Sequence, residues 1–413
     1  LAILFFIAYL IFSSWVLTRL GFVRRSGLGN GFILFVYLLK VGAGLAYGYL
    51  HAKAPEHVGL TDTWKFFSQG ADQTLLLKQD PAAFFRDLLP KEVHAGFRGF
   101  FSTSNSYWND IKHETMVKLA SVLNLFSNSN YYINIIGYNF LVFPGGVALY
   151  RGIRQYVAND VVAKGVAFFV PSTVFWTSGF HKEGLVFTAL AMIFYLLVRM
   201  YRNEKLHLSH LIAGGISMIT LLLLRNNLLL PLIPAALAFL LCMKLNLRPR
   251  YAFGIVLGIS LLLFFLSPRL GMDLPYSVSQ RQHEFAALGG RTAVDVPPLR
   301  PEPGGFLRNL PWAVDLGFLR PHVFDGGKKY VPFTLEITVL LMLILFAILK
   351  GKKPAAPGIA MFLVTFSVLA ILMIGFTVPN IGALIRYRSV ALPFLFSGLV
   401  MLAPIRELNK KLF

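Results

Sequence analysis

Apolar residues in this chain come in long blocks, and the charged residues between them are grouped rather than scattered. Blocks of near-continuous hydrophobic sequence fall at roughly 1–18, 31–50, 130–150, 161–180, 184–200, 208–224, 227–243, 251–267, 332–349, 357–377 and 390–405. A helix needs about 20 apolar residues to cross a bilayer core of about 30 Å. The pattern therefore predicts an all-α polytopic membrane protein with about 11 transmembrane helices, residues 1–413 forming one transmembrane domain. The first block opens on Leu1 without a basic segment or a cleavage site, and reads as a span rather than a signal peptide.

Two stretches interrupt the rhythm, a first loop over 51–129 and a second over 268–331. Both are longer than a plain connection needs, which marks them as functional or self-structured. Amphipathic helices are expected in the first. In "DPAAFFRDLL", Asp80 is placed as a cap and Pro81 at the first helical position. In "DIKHETMVKLASVLNLF", Ile111, Met116, Leu119, Val122, Leu123 and Phe126 form an apolar stripe suited to the membrane surface. The second loop carries "DVPPLRPEPGG", a Pro- and Gly-rich run that predicts irregular backbone.

Composition supports the membrane reading: 56% of residues are hydrophobic, 14% are charged, and the mean hydropathy is +0.64. The net charge of +20 has a topological pattern. Basic residues gather after alternate blocks: Arg19, Arg24 and Arg25; Arg151, Arg154 and Lys164; Arg199, Arg202 and Lys205; Lys244, Arg248 and Arg250; Lys350, Lys352 and Lys353; Arg406, Lys410 and Lys411. Only Asp160, Glu204 and Glu407 oppose them. By the positive-inside rule this side is cytoplasmic, which accounts for the charge without nucleic acid. Cys242, the only cysteine, allows no intrachain disulfide.

The opposite, outer face collects the candidate chemistry. Asp62, in "VGLTDTWKFF", has two readings: a helix cap, or a general base toward an acceptor hydroxyl. His181, Lys182 and Glu183 open a span in "PSTVFWTSGFHKEGLVF". Glu183 suits a helix N-terminus, whereas Lys182 is disfavoured there unless an anion such as phosphate binds. Arg225 and Asn226 interrupt "LLLLRNNLLLPLIP", and Arg386 and Arg388 stand in "PNIGALIRYRSVALPFLF". Such arginines either snorkel to headgroups or converge as a phosphate cradle. Arg320 and His322, in "FLRNLPWAVDLGFLRPHVF", add possible contacts to a headgroup or sugar, and Trp64 beside Asp62 is a further substrate-contact candidate. Lys40, within the second span, is placed either against a buried acid or snorkelling. There is no Walker A, HExxH or GxSxG motif and no Cys/His metal spacing. A divalent ion between Asp62 and Glu183 is permitted but not demanded, so no cofactor is expected to be required.

Asp62 in "TDTW", with Glu183 preceded by Pro171, Ser172, Phe175 and Ser178 and followed by Leu185, resembles the GT-C superfamily of integral-membrane glycosyltransferases, mainly over 31–200. The C-terminal half, with "RNLPWAVDLGFLRP" and "IRYR", is similar to bacterial surface-polysaccharide proteins, including O-antigen polymerases. Two departures from the GT-C pattern stand out: a single Asp62 in place of an acidic pair, and one additional span before it. The resemblance implies transfer of a sugar from a polyprenyl-phosphate donor to a glycan, lipid or protein acceptor, at the periplasmic face of a bacterial inner membrane. It implies Asp62 and Glu183 as catalytic carboxylates, Lys182, Arg225, Arg386 and Arg388 at the donor phosphate, and Trp64, His181, Asn226, Arg320 and His322 as substrate contacts. Two other expectations stay open: polymerisation of undecaprenyl-pyrophosphate-linked repeats, and transport or flipping of an anionic lipid or solute. Transport expects ionisable groups at mid-depth and broken helices. The sequence offers Lys40 there and no internal repeat.

Overall fold

A computed structural model of the chain describes residues 2–52, 61–86, 107–325 and 327–403. Residues 53–60 and 87–106 of the first loop, and the charged cluster Arg406, Glu407, Lys410 and Lys411, lie outside the described residues. Among those described there is no β-strand, only an isolated bridge between Ala293 and Asn380. In lipid this is what the backbone requires, since a helix satisfies its own N–H and C=O groups.

Helices α1 (Ala2–Arg19), α2 (Gly21–Arg24) and α3 (Asn30–Ala52) lead to the first loop, which holds α4 (Asp62–Gln79), α5 (Pro81–Arg86) and α6 (Tyr107–Ser127). Then come α7 (Tyr131–Ile153), α8 (Asp160–Phe168), α9 (Pro171–Ser178), α10 (Lys182–Tyr201), α11 (Leu208–Arg225), α12 (Leu229–Lys244) and α13 (Pro249–Leu266). The second loop contains α14 (Leu274–Ala287) and α15 (Pro303–Val314), and the chain continues through α16 (Val331–Lys350), α17 (Pro357–Thr377), α18 (Ile381–Arg388) and α19 (Leu392–Leu402). Irregular backbone in the second loop is thus flanked by helices on both sides.

Among the described residues, seven helical stretches are long and apolar enough to cross a membrane, or up to nine if each bent pair is one span. The expected blocks at 208–224 and 227–243 lie within one stretch, Leu208–Lys244, and the first block forms a shorter apolar helix. Two pairs are bent, α8–α9 by 44° and α18–α19 by 60°. Pro171 and Pro393 begin the second members. Proline has no N–H to extend the ladder and its ring crowds the preceding turn, so the helix breaks. Broken helices, which the apolar pattern alone did not reveal, are therefore part of this fold.

Lipid tails are as apolar as leucine, so these helices associate through close packing and internal hydrogen bonds. The central α7 is 78% buried over its apolar window, against 17% for α16 on the periphery. Gly184 lets α10 press onto α9 and α7: a Cβ there would lie 2.6 Å from the Thr177 carbonyl oxygen and overlap the Tyr138 hydroxyl. Phe194, Phe362, Phe366 and Phe394 join α10, α17 and α19, with ring centroids 5.6 to 6.2 Å apart. A buried polar chain ties the first loop down. Ser121 Oγ donates to Gly70 O (3.0 Å), Asn124 Nδ2 to Thr74 Oγ1 (3.2 Å), and Asn134 Nδ2 to Asn124 Oδ1 (2.6 Å). With α4 and α6 clamped to α7 in this way, the first residue of α4 sits over the start of α10.

Candidate active site

That first residue is Asp62. Thr61 occupies the cap position, so the carboxylate of Asp62 is released from capping. Its Oδ2 instead lies 3.2 Å from His181 Nε2 and 3.2 Å from Arg386 Nη1. The side chain remains 54% exposed, leaving lone pairs for an incoming hydroxyl. The hydrogen bond from His181 is the largest influence on it, followed by burial, which opposes, and by the charges of His181, Arg386 and Lys182; together they hold the carboxyl well below the usual range.

His181 caps α10, with Nδ1 accepting the Lys182 N–H at 2.9 Å. The ring is fully buried, its Nδ1 also touching Glu183 Oε2. With Nδ1 as acceptor, the ring donates its Nε2–H to Asp62. Glu183, 1% exposed, pairs through Oε1 with Arg225 Nη2 at 2.5 Å and Arg386 Nε at 3.3 Å. Burying one carboxylate at a helix start is tolerable because two guanidiniums meet it.

Arg225 reaches this point because the helical path fails at its own backbone. Its φ of −152° and ψ of 55° end α11 and start a short 3₁₀ turn over Asn226–Leu228. The Tyr387 ring lies between the two arginines, 3.9 Å from the Arg225 guanidinium and 4.9 Å from that of Arg386. Lys182 extends over Phe66 at 5.5 Å and forms no ion pair among the described residues. Behind the cluster, Lys40 Nζ donates to Thr177 Oγ1 (2.9 Å) and Ser178 Oγ (3.0 Å) at the end of α9. It forms no ion pair among the described residues, and its ammonium instead holds the two hydroxyls that end α9 just before His181.

Asp62, His181, Glu183, Arg225 and Arg386 thus converge, with Lys182 at the edge. Other expected site residues are placed elsewhere. Arg388 is fully buried and donates to Gly317 O and Arg320 O, both at 2.8 Å, which corrects its expected place in the phosphate cradle. Both hydrogen bonds come from its Nη1, which ties the guanidinium to carbonyls of the second loop. Arg320 pairs with Asp315 (2.9 Å) and Asp325 (2.8 Å), and His322 with Asp315 (2.9 Å), a self-contained network that positions the loop. Trp64 stacks on Tyr131 at 4.1 Å and donates to Gly48 O at 3.0 Å, which makes it a strut for α4. Asn226 is buried in the turn after Arg225. No group of three metal-capable side chains occurs among the described residues, and both Glu183 oxygens already face His181, Arg225 and Arg386.

Three residues were not singled out from the sequence. Tyr387 separates the arginines, Arg281 on α14 lines a crevice with Glu183, Arg225 and Tyr387, and Lys112 on α6 interacts electrostatically with Arg281, Arg225 and Lys182. Burial, the largest effect, and those three charges push the Lys112 ammonium down to about 7. Burial also lowers Arg281 to about 10. Only the outward placement of their segments hinted at them, and many basic residues share that property.

The chain matches no protein-family model, no curated protein and no solved structure.

Proposed function

We propose that this protein is a membrane glycosyltransferase that moves a sugar from a polyprenyl-phosphate donor to an acceptor hydroxyl at the outer face. The observation that carries this reading is one half-exposed carboxylate, Asp62, held by His181 and Arg386 beside cations that outnumber the carboxylates. In the proposed reaction the acceptor hydroxyl donates to Asp62 and its oxygen attacks the anomeric carbon. The bond to the phosphate oxygen breaks as the new glycosidic bond forms, and the configuration inverts. The hydroxyl proton passes to Asp62 and then to solvent. A strongly ionised Asp62 is a weak base, so the proton moves late, when the hydroxyl has become acidic. Lys182 and Arg386 face the charge gathering on the departing phosphate, an electrostatic contribution of a few kcal/mol per well-placed donor. Glu183 keeps Arg225 and Arg386 aligned. No metal is needed for this sequence of events.

The proposed setting is a bacterial inner membrane, with eleven crossings and the site on the periplasmic side. The count follows if Leu208–Lys244 is two spans, each bent pair is one, and the first apolar helix also crosses. A second reading, polymerisation of pyrophosphate-linked repeats, is favoured by the surplus of cations. Asp62→Asn in a membrane transfer assay separates the two. Loss of turnover supports the glycosyltransferase with Asp62 as base, whereas wild-type turnover combined with an inactive Arg386→Ala supports the polymerase. The bent helices also suit a transporter, for which the expected result is solute uptake into proteoliposomes without a glycan product.

A further inference from the structure

We propose that Lys112, Arg225 and Arg281 form a second anion subsite, which takes a phosphoryl group separate from the one facing Lys182 and Arg386. The inference rests on the functional reading above and narrows its substrate class to one carrying two phosphoryl groups, on one molecule or divided between donor and acceptor.

The argument is one of charge balance. Arg225 and Arg281 line one crevice with Glu183, Arg386 pairs with Glu183 and Asp62, and Lys112 and Lys182 interact electrostatically with this group. Glu183 is shared by Arg225, Arg386 and His181, and Asp62 by Arg386 and His181. Among the described residues no carboxylate forms an ion pair with Lys112, Lys182 or Arg281. Arg281 lies against the Phe285 ring at 5.8 Å, and its buried Nε has no hydrogen-bond partner among the described residues. Glu284 is near in charge but makes no ion pair with it; its Oε1 accepts from Gln280 at 3.1 Å. Lys112 has neither a hydrogen bond nor an ion pair among the described residues. Half-buried cations that repel one another are unfavourable without a counter-ion, and clusters of that kind are where ligands supply it.

The ligand chemistry follows from the donors. A planar guanidinium fork beside an ammonium fits a phosphoryl dianion, which offers three oxygens, better than it fits a carboxylate. The apolar wall of Ile374, Val378 and Val390 along the crevice excludes competing water. The crevice itself has only about 10 Å³ of room, so the phosphoryl group sits at its mouth, beside Arg225 and Arg281.

The test uses the full chain in detergent, titrated with geranylgeranyl monophosphate, geranylgeranyl pyrophosphate and inorganic phosphate. Wild type is expected to bind the pyrophosphate at least about tenfold more tightly than the monophosphate, the scale of one charged hydrogen-bonding partner. Arg281→Gln should remove that preference while retaining monophosphate binding, and Arg281→Lys should restore part of it. If the second group instead belongs to the acceptor, inorganic phosphate binds to protein already saturated with monophosphate lipid, and Arg281→Gln abolishes this binding. Lys112→Gln repeats the comparison from a different helix. The proposal is overturned if wild type shows neither effect, if both variants keep the effect, or if both lose every ligand equally. Turnover of Asp62→Asn is a separate measurement, so failure of the base and failure of this subsite are distinguishable.

Discussion

Glu336 and Glu183 are both buried glutamates, and they lie at opposite ends of α9. At its start, Glu336 accepts from the Ser172 backbone N–H (2.7 Å) and hydroxyl (2.8 Å), neutral donors that both come from one residue. Arg388 is near in charge, yet its hydrogen bonds go to carbonyl oxygens. Beyond the other end, Glu183 is met by His181, Arg225 and Arg386, drawn from three separate segments and connected onward to a half-exposed Asp62. The first arrangement caps a helix and closes on itself. The second carries excess positive charge to an open edge. A buried carboxylate is therefore informative through what surrounds it: neutral donors mark structure, and cations in surplus mark a place for an anion.

The contrast breaks first under charge removal. Glu183→Gln leaves two guanidiniums without their anion, a loss on the order of 3–5 kcal/mol for a disrupted buried pair, and turnover should disappear with it. Glu336→Gln keeps an acceptor for Ser172 and should cost only about 1–2 kcal/mol with turnover retained. Melting in detergent together with sugar transfer in membranes checks both. Equal loss of transfer in the two variants would erase the distinction.

A pH profile sharpens the same comparison. The Asp62 carboxyl is depressed chiefly by its hydrogen bond to His181. Its contribution to stability is therefore present above the unfolded-state value near 4, and is lost as pH falls through the lower folded-state value. Between about pH 5 and 8 Asp62 should not titrate at all. In His181→Asn the carboxyl rises toward its ordinary range, moving the acid limb of turnover upward. An unmoved limb would show that His181 does not control Asp62.

Lys112 titrates on the other side. With its ammonium at about 7, affinity for an anion of constant charge such as sulfate should decline as pH rises from about 6 to 8. Calorimetry with sulfate, whose own charge stays constant over that range, reads the curve. The smallest effect belongs to Ser172→Ala, which removes one of two donors to Glu336. It should lower stability by about 1 kcal/mol and leave transfer unchanged.

Some of the site was legible in the residues themselves. Asp62, Glu183, Arg225 and Arg386 stood out as charges at apolar-block ends on the face where positive residues are not expected. Arg388 looked equivalent to Arg386, but α18 is a helix, and residues two apart on a helix point about 200° away from each other. One therefore reaches Asp62 while the other reaches the carbonyls of Gly317 and Arg320. Lys112 and Arg281 had no local pattern to distinguish them, and Trp64 looked like a contact residue only because Asp62 is its neighbour in sequence.

The order of residues by itself determined that this is a helical membrane protein, because apolar length and the need to satisfy backbone groups in lipid act locally along the chain. It also determined where charge collects, since ions are expelled to the ends of apolar runs. Which of those charges meet, which are neutralised and which are left over was decided only by tertiary structure. Electrostatic energy depends on distance through space and on access to water, and Asp62 and Arg386, 324 positions apart in sequence, owe their 3.2 Å separation entirely to how the helices pack.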